Sequence, residues 1–171
     1  MAEEQAFATN ELSTGDDNAP QFGVVMQYVK DLSFENPNSP AVYQWQGQPQ
    51  IDVQVNIGTQ PVGEDVYEVG LKLDITAKSQ EGTAFKVDLL YCGLFAVKNL
   101  QEEQLQPILL AEAPRLLFPF ARRVIADTVL DGGFPPLMLD PIDFASLYMQ
   151  RAAQAQAERA HGQAPEVTGQ A

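Results

Sequence analysis

Alternation of apolar and polar residues predicts four strands within the first hundred residues. The first runs from Phe22 to Phe34, and its alternation is interrupted in a way that indicates a bulge. In the second, apolar residues at 51, 53, 55 and 57 alternate with polar residues at 52, 54 and 56. The same alternation recurs at 67–75 and 85–91, and the intervening SQEG segment predicts a hairpin.

The connections between these segments predict how the strands are ordered. The segment ENPNSPAVYQWQGQPQ contains Pro, Asn and Gly residues typical of turns, but it is too long for a tight hairpin. A crossover between the first and second strands is therefore expected. Strands joined by turns, with one polar and one apolar face, indicate an antiparallel sheet, and the crossover indicates Greek-key order.

Beyond Leu100 the hydrophobic period changes to that of helices. The pattern predicts a helix, a break, and a second helix that is opened by Pro114, kinked by Pro119 and ended at Gly132-Gly133. A last helix follows the segment DPID, and its apolar stripe ends at Arg151, a charge suited to a helix carboxyl terminus. The predicted fold class is α+β, a four-stranded antiparallel Greek-key sheet packed with C-terminal helices.

The two ends of the chain differ in composition from the middle. Residues 1–20 contain five acids, no Lys or Arg and almost no bulky apolar side chain, which predicts a disordered acidic tail. Residues 152–171 are rich in Ala and Gln and predict a flexible C-terminal tail. One domain over residues 21–151 remains between them.

The charge balance excludes two classes of partner. Ten Lys and Arg against 23 Asp and Glu give a net charge of −13, which repels nucleic acid and anionic membrane surfaces. The amino terminus lacks the pattern of a signal peptide, and no apolar run approaches the ~20 residues of a membrane span. We therefore expect a cytoplasmic protein that neither binds nucleic acid nor inserts into the membrane.

Candidate chemistry is sparse, which argues against an enzyme. The motifs GxSxG, HExxH, GxxxxGK[ST], CxxC and GxGxxG are absent, and neither a cofactor nor a metal is predicted. His161 is expected to be solvated, Cys92 to be a buried structural thiol, and the pair Asp127 and Asp131 to lie on a solvated helix face. A small-molecule site between sheet and helices stays open as an alternative, and it requires converging polar groups.

The four strands and three helices carry more apolar surface than one small subunit can bury. This excess predicts self-association. It also allows a second interpretation, in which apolar residues such as Trp45, Leu147 and Tyr148 remain open to receive apolar segments of another chain.

Four segments of the chain resemble the SecB family of bacterial protein-export chaperones. They are KDLSFENPNSP at 30–40, DVYEV at 65–69, LLFPFARR at 116–123 and GGFPPLMLDPIDFASLYM at 132–149. The resemblance spans residues 20–151 with the segments in the family's order. It implies a SecB-like fold that assembles as a dimer of dimers. It also implies a homotetramer that holds unfolded precursor proteins translocation-competent and delivers them to the SecA motor, without catalysis.

The resemblance also implies roles for individual residues. The residues that match the family's client-binding groove are Trp45, Val53, Val55, Phe144, Leu147 and Tyr148, and core packing competes for each of them, most strongly for Phe144. The acids that match its SecA-docking surface are Asp31, Glu35 and Asp88. Lys86 stands where the family often has an apolar residue. A SecB-like chaperone dedicated to a toxin–antitoxin pair is the related alternative, which the three acids disfavour.

Overall fold

A computed structural model describes residues 18–162 as one sheet with a helical layer on one face. Residues 1–17 and 163–171, which hold most of the predicted N-terminal tail and the end of the predicted C-terminal tail, lie outside the described residues. The strands are β1 (Gln21–Glu35), β2 (Gln50–Gly63), β3 (Val66–Ser79) and β4 (Gly82–Lys98). The helices are α1 (Glu102–Pro107), α2 (Ala113–Asp131) and α3 (Phe144–Gly162).

The strands form one antiparallel sheet in the order β1-β4-β3-β2. β2, β3 and β4 follow one another as hairpins, and the segment after β1 crosses to the far edge, so the predicted Greek-key order is confirmed. A short 3₁₀ helix, Ala41–Gln44, lies in this crossover. The bulge predicted in β1 is present as two register shifts, at Val24/Met26 and Val29/Asp31.

The core lies between the sheet and α2. Alternate residues of the two central strands, including Leu71, Leu89 and Phe95, are fully buried against Leu117 and other side chains of α2. Each such burial stabilises the fold by about 1.5–3 kcal/mol. α2 approaches β4 so closely at Gly93 that an added Cβ would lie 2.8 Å from Leu117 Cδ2, and a larger residue there would force buried side chains to shift.

The predicted break between the first two helices is wrong. The backbone stays helical from α1 to α2 through a π-helical turn, Ile108–Glu112. Pro107 lies at the end of α1 and has no N–H for the i−4 bond, so a wider turn replaces a loop. α2 ends at Asp131 as predicted, and Gly133 follows it with φ of 85°.

The last helix begins where the sequence predicts. Asp143 is its N-terminal cap, because its carboxylate accepts hydrogen bonds from Ser146 N at 3.0 Å and from Ser146 Oγ at 2.8 Å. The helix does not end at Arg151, however, and continues to Gly162. The Ala and Gln residues after Ala152 are good helix formers, so the segment assigned to a flexible tail is helical over 152–162.

Within residues 18–162, no helix combines the length and hydropathy needed to cross a bilayer.

Candidate functional site

The sheet presents two faces of opposite character. We call the face covered by the helices the inner face and the opposite one the outer face. On β2 the odd-numbered residues 51–59 are paired with the buried residues of β3 and belong to the inner face. The even-numbered residues 52–60 belong to the outer face, which is predominantly polar on β2 and β3.

Apolar side chains remain exposed on the inner face at β2. Ile51 and Val53 are 39% and 36% exposed, whereas Val55 and Ile57 further along the strand are half-buried. The predicted groove residues Val53 and Val55 are therefore neighbours on one face. Ile51 belongs with them, although it is not among the residues that match the family's groove, and its place in the alternation of β2 is the signal that could have found it.

Trp45 lies directly after the 3₁₀ helix of the crossover and is half-buried. Its ring approaches the turn between β3 and β4, since an added Cβ at Gly82 would lie 3.6 Å from Trp45 Cη2. The indole thus lies against the hairpin turn, and part of its surface remains accessible to solvent.

The three α3 residues of the predicted groove have different surroundings. Phe144 is only 2% exposed, and its ring packs edge-to-face on Phe118 at 5.9 Å, so it is a core residue. Leu147 and Tyr148 are half-buried against the edge of the core. Arg151, one turn further, donates a hydrogen bond to the Val55 carbonyl and so links this stripe of α3 to β2.

The three acids predicted to dock SecA share the outer face. Cross-strand register places Asp31 opposite Leu90, Ser33 opposite Asp88, and Glu35 opposite Lys86. Asp31 and Glu35 are exposed and Asp88 is half-buried. The second bulge of β1 adds one residue before Asp31, and without it the acid would turn to the inner face.

Further charges complete the outer face. Asp74 is paired directly with Asp88 across β3 and β4, and Lys72 Nζ lies 3.7 Å from Asp74 Oδ1 and 3.8 Å from Asp88 Oδ1. Partial burial and the Asp74 carboxylate raise the pKa of Asp88, an effect that Lys72 opposes. A cavity of about 290 Å³ is lined by these acids together with Glu35 and Asp52, which makes it a suitable place for a long basic side chain.

Lys86 belongs to β4, which lies between β1 and β3, and its side chain is part of this acidic surface. It is exposed, lies opposite Glu35 on β1 and Thr76 on β3, and lines the same cavity as Asp88. Its positive charge reduces the negative potential of the surface at its β1 end.

A hydrogen-bonded network crosses the sheet at the other end of the outer face. The Glu68 carboxylate accepts hydrogen bonds from Tyr28 Oη, from Lys30 Nζ at 2.7 Å and from Gln60 Nε2 at 2.9 Å. These groups come from three different strands. The bonds from Lys30 and Tyr28 lower the pKa of Glu68, whereas burial and the same carboxylate raise the pKa of Tyr28.

The Glu68 network predicts a specific pH dependence of stability. Because the folded-state pKa of Glu68 is lowered, its contribution is present above the unfolded pKa of about 4.5 and is lost as the pH falls through the folded value. We expect Glu68→Gln to reduce the free energy of unfolding by about 1–3 kcal/mol at pH 7 and to flatten the loss below pH 4.5. Urea denaturation of both proteins at pH 7 and at pH 3.5 measures the loss of unfolding free energy and its change with pH. Equal losses in the exposed-site control Glu158→Gln would contradict the prediction.

The other candidate groups show no arrangement suited to catalysis. Cys92 is buried as predicted, and burial raises the pKa of its thiol to about 11, which opposes nucleophilic reactivity at neutral pH. His161 is exposed, and its Nδ1 lies 3.2 Å from the Ala157 carbonyl of its own helix. Asp127 faces Arg123 at 4.0 Å on the surface of α2. Among the described residues, no three acidic, His or Cys side chains are grouped to hold a metal.

Comparisons with known proteins agree with this fold. A family model described as preprotein translocase subunit SecB matches residues 15–155. The protein-export protein SecB of Zymomonas mobilis is 64% identical over 138 residues, which cover 81% of this chain and 84% of the relative. That of Sphingopyxis alaskensis is 60% identical over 151 residues, which cover 88% of each chain.

A solved structure shares the fold at much lower sequence identity. It is a SecB-like chaperone of Mycobacterium tuberculosis in complex with a ChAD peptide from an antitoxin, with a TM-score of 0.59 and 16% identity over 71% of this chain and 90% of the other. The family model and the export-protein relatives each cover most of the chain, so the SecB resemblance is confirmed. This chain belongs to the SecB family of preprotein translocase subunits.

Proposed function

We propose that the protein is a cytoplasmic export chaperone that binds unfolded precursor proteins, keeps them translocation-competent and delivers them to SecA. The observation that supports this proposal most directly is the chemical difference between the two faces of the sheet. Apolar side chains open to solvent occupy the inner face at β2, and carboxylates occupy the outer face. Binding rather than catalysis is what such surfaces can do.

The inner face suits extended apolar segments of an unfolded client. Ile51, Val53 and the accessible part of Trp45 supply apolar area, and α3 supplies Leu147 and Tyr148 at its side. A folded protein hides its apolar side chains, so this surface discriminates by folding state rather than by sequence. The net charge of −13 keeps a protein with such a surface in solution.

The outer face suits a basic segment of SecA. Asp31, Glu35 and Asp88 project from it together with Asp74, and this concentration of carboxylates favours a positively charged partner. Lys86 is the residue of this surface that opposes such a partner.

A dimer of dimers is the assembly we propose for the working chaperone. Exposed apolar side chains on β1 and α2, among them Val29, Leu32, Leu116 and Phe120, lie outside the predicted groove residues of β2 and α3, and they support self-association. A homotetramer offers several grooves to one client and raises avidity through effective concentration.

A chaperone dedicated to a toxin–antitoxin pair is less well supported. The M. tuberculosis SecB-like chaperone with an antitoxin peptide is 16% identical and supports the fold, whereas the protein-export proteins of Z. mobilis and S. alaskensis are 64% and 60% identical.

Trp45→Ala tests the client-binding surface. We expect affinity for reduced, carboxymethylated lysozyme, a permanently unfolded protein, to fall by about three- to tenfold, because half-buried aromatic residues contribute strongly to apolar interfaces. Fluorescence anisotropy of the labelled client measures the affinity, and light scattering verifies that the assembly is unchanged.

Two controls accompany this measurement. Native disulfide-bonded lysozyme has the same sequence but a folded core, and it should not bind. The variant Tyr43→Ala removes an exposed aromatic residue of the same crossover whose hydroxyl donates to the Gly132 carbonyl, and its client affinity should stay near that of the unmodified protein. Equal losses in both variants, or equal binding of native and unfolded lysozyme, would refute the assignment.

A further inference from the structure

The open edge of β2 has an accessible row of backbone amides. β2 is the last strand of the sheet and pairs with β3 alone. Pro61 lies opposite Tyr67 and has no N–H to donate to β3, so this is a non-hydrogen-bonded pair of the ladder. In such pairs the backbone groups of β2 point away from β3. The register is unbroken from Gln50 to Pro61, and the two-residue repeat therefore directs the amides of Ile51, Val53 and Val55 to the open edge.

Arg151 occupies this edge at Val55. Its guanidinium donates to the Val55 carbonyl at 2.5 Å and lies 3.5 Å from Asn56 Oδ1. Asn56 belongs to the outer face, so the side chain reaches from α3 around the edge of the sheet. A planar guanidinium with five donors is suited to engage two acceptors at once.

Arg151 lies where α3 changes from a packed to a solvent-exposed segment. Before it, Phe144 is buried and Leu147 and Tyr148 are half-buried, and α3 packs on the π-helical turn that also contacts β2. After it, residues 153–161 are all exposed. Among residues 18–162, the bonds of Arg151 are the polar side-chain contacts that join α3 to the sheet.

The same position divides the inner face of β2. Ile51 and Val53 are exposed on one side of it, whereas Val55 and Ile57 are half-buried. Where the edge amides are free the apolar side chains are open, and where Arg151 binds the edge they are partly covered.

We propose that Arg151 is a removable clasp, which fastens α3 to the edge of β2 and limits the length of groove open to an extended client. The inference rests on the proposed client-binding function. Release of the Val55 carbonyl frees an acceptor for a client N–H. Movement of α3 withdraws support from the π-helical turn that contacts β2, and Val55 and Ile57 become more accessible. The clasped state favours short segments, and a client long enough to compete for the edge opens it.

The variant Arg151→Gln, made in the full chain, tests the clasp. Hydrogen exchange of the backbone amides of residues 147–151 should quicken by about tenfold without any client, since one charge-assisted bond is lost. Affinity for reduced, carboxymethylated lysozyme should rise by about three- to tenfold because opening no longer competes with binding. Arg151→Lys, which keeps the charge but not the planar fork, should lie between.

Arg159→Gln is the matched control, since it removes the same charge from an exposed site of the same helix and should change neither quantity. Unchanged exchange in Arg151→Gln overturns the clasp. Faster exchange with unchanged or weaker client affinity overturns its control of the groove. Failure of the unmodified protein to bind unfolded lysozyme overturns the proposed function instead, and amide exchange still decides whether the clasp exists.

Discussion

Val53→Asp is expected to weaken binding of reduced, carboxymethylated lysozyme by roughly 10- to 100-fold. The side chain lies on the inner face and is 36% exposed, so an apolar client segment seated there would cover a carboxylate that has no partner. Covering an unpaired charge is far more costly than losing apolar contact. The free protein tolerates the change because Val53 is partly accessible, and its free energy of unfolding should fall by only about 1 kcal/mol.

The adjacent residue supplies the control. Gln54→Asp introduces the same charge one position along β2, but its side chain lies on the outer face. Client affinity of this variant should stay within about twofold of the unmodified protein, as expected for a surface change away from the contact. Titration of the labelled client into each variant measures both, and equal losses would show that charge rather than the inner face determines binding.

Reversal of two outer-face acids, Asp31→Lys with Glu35→Lys, is expected to weaken association with SecA by roughly 100-fold at low salt. The double variant replaces attraction for a basic segment by repulsion, and like charges across an interface cost several kcal/mol. The difference from the unmodified protein should shrink as salt is added, because exposed charges are screened. Binding of unfolded lysozyme should be retained, since that surface lies on the other face of the sheet.

A control with the same change of net charge separates position from total charge. Asp140→Lys with Glu158→Lys reverses two exposed acids that lie outside the sheet. SecA affinity measured by surface plasmon resonance should stay within about threefold of the unmodified value. Were this variant as weak as the first, long-range charge would account for the interaction and the assignment of Asp31 and Glu35 would be wrong.

The sequence predicted the sheet because each strand carries its own signal. The alternation in β2 and in the β3–β4 hairpin specifies which side chains share the inner face, and the register confirms it from Ile51 to Tyr91. The helix cap at Asp143 and the end of α2 before Gly133 are equally local. Such features depend on residues a few positions apart.

The predictions that failed concern helix continuity. Pro107 is a local signal for interruption, but packing of the apolar residues that follow keeps the backbone helical through a π turn. The extension of α3 beyond Arg151 reflects the intrinsic propensity of Ala and Gln residues, which the polar composition of that segment concealed.

Local patterns were thus enough to predict the strands and the helix caps, and the family's motifs indicated the candidate groove and docking residues. The tertiary structure was needed to show that Ile51 and Val53 stay exposed while Phe144, the residue for which core packing was expected most strongly, is buried, because burial depends on what packs above a residue. Only it brought Glu68 to Lys30 and Arg151 to Val55, which are 38 and 96 positions apart in the chain. Pairings at such separations are set by register and by the docking of α3, and no local pattern encodes them.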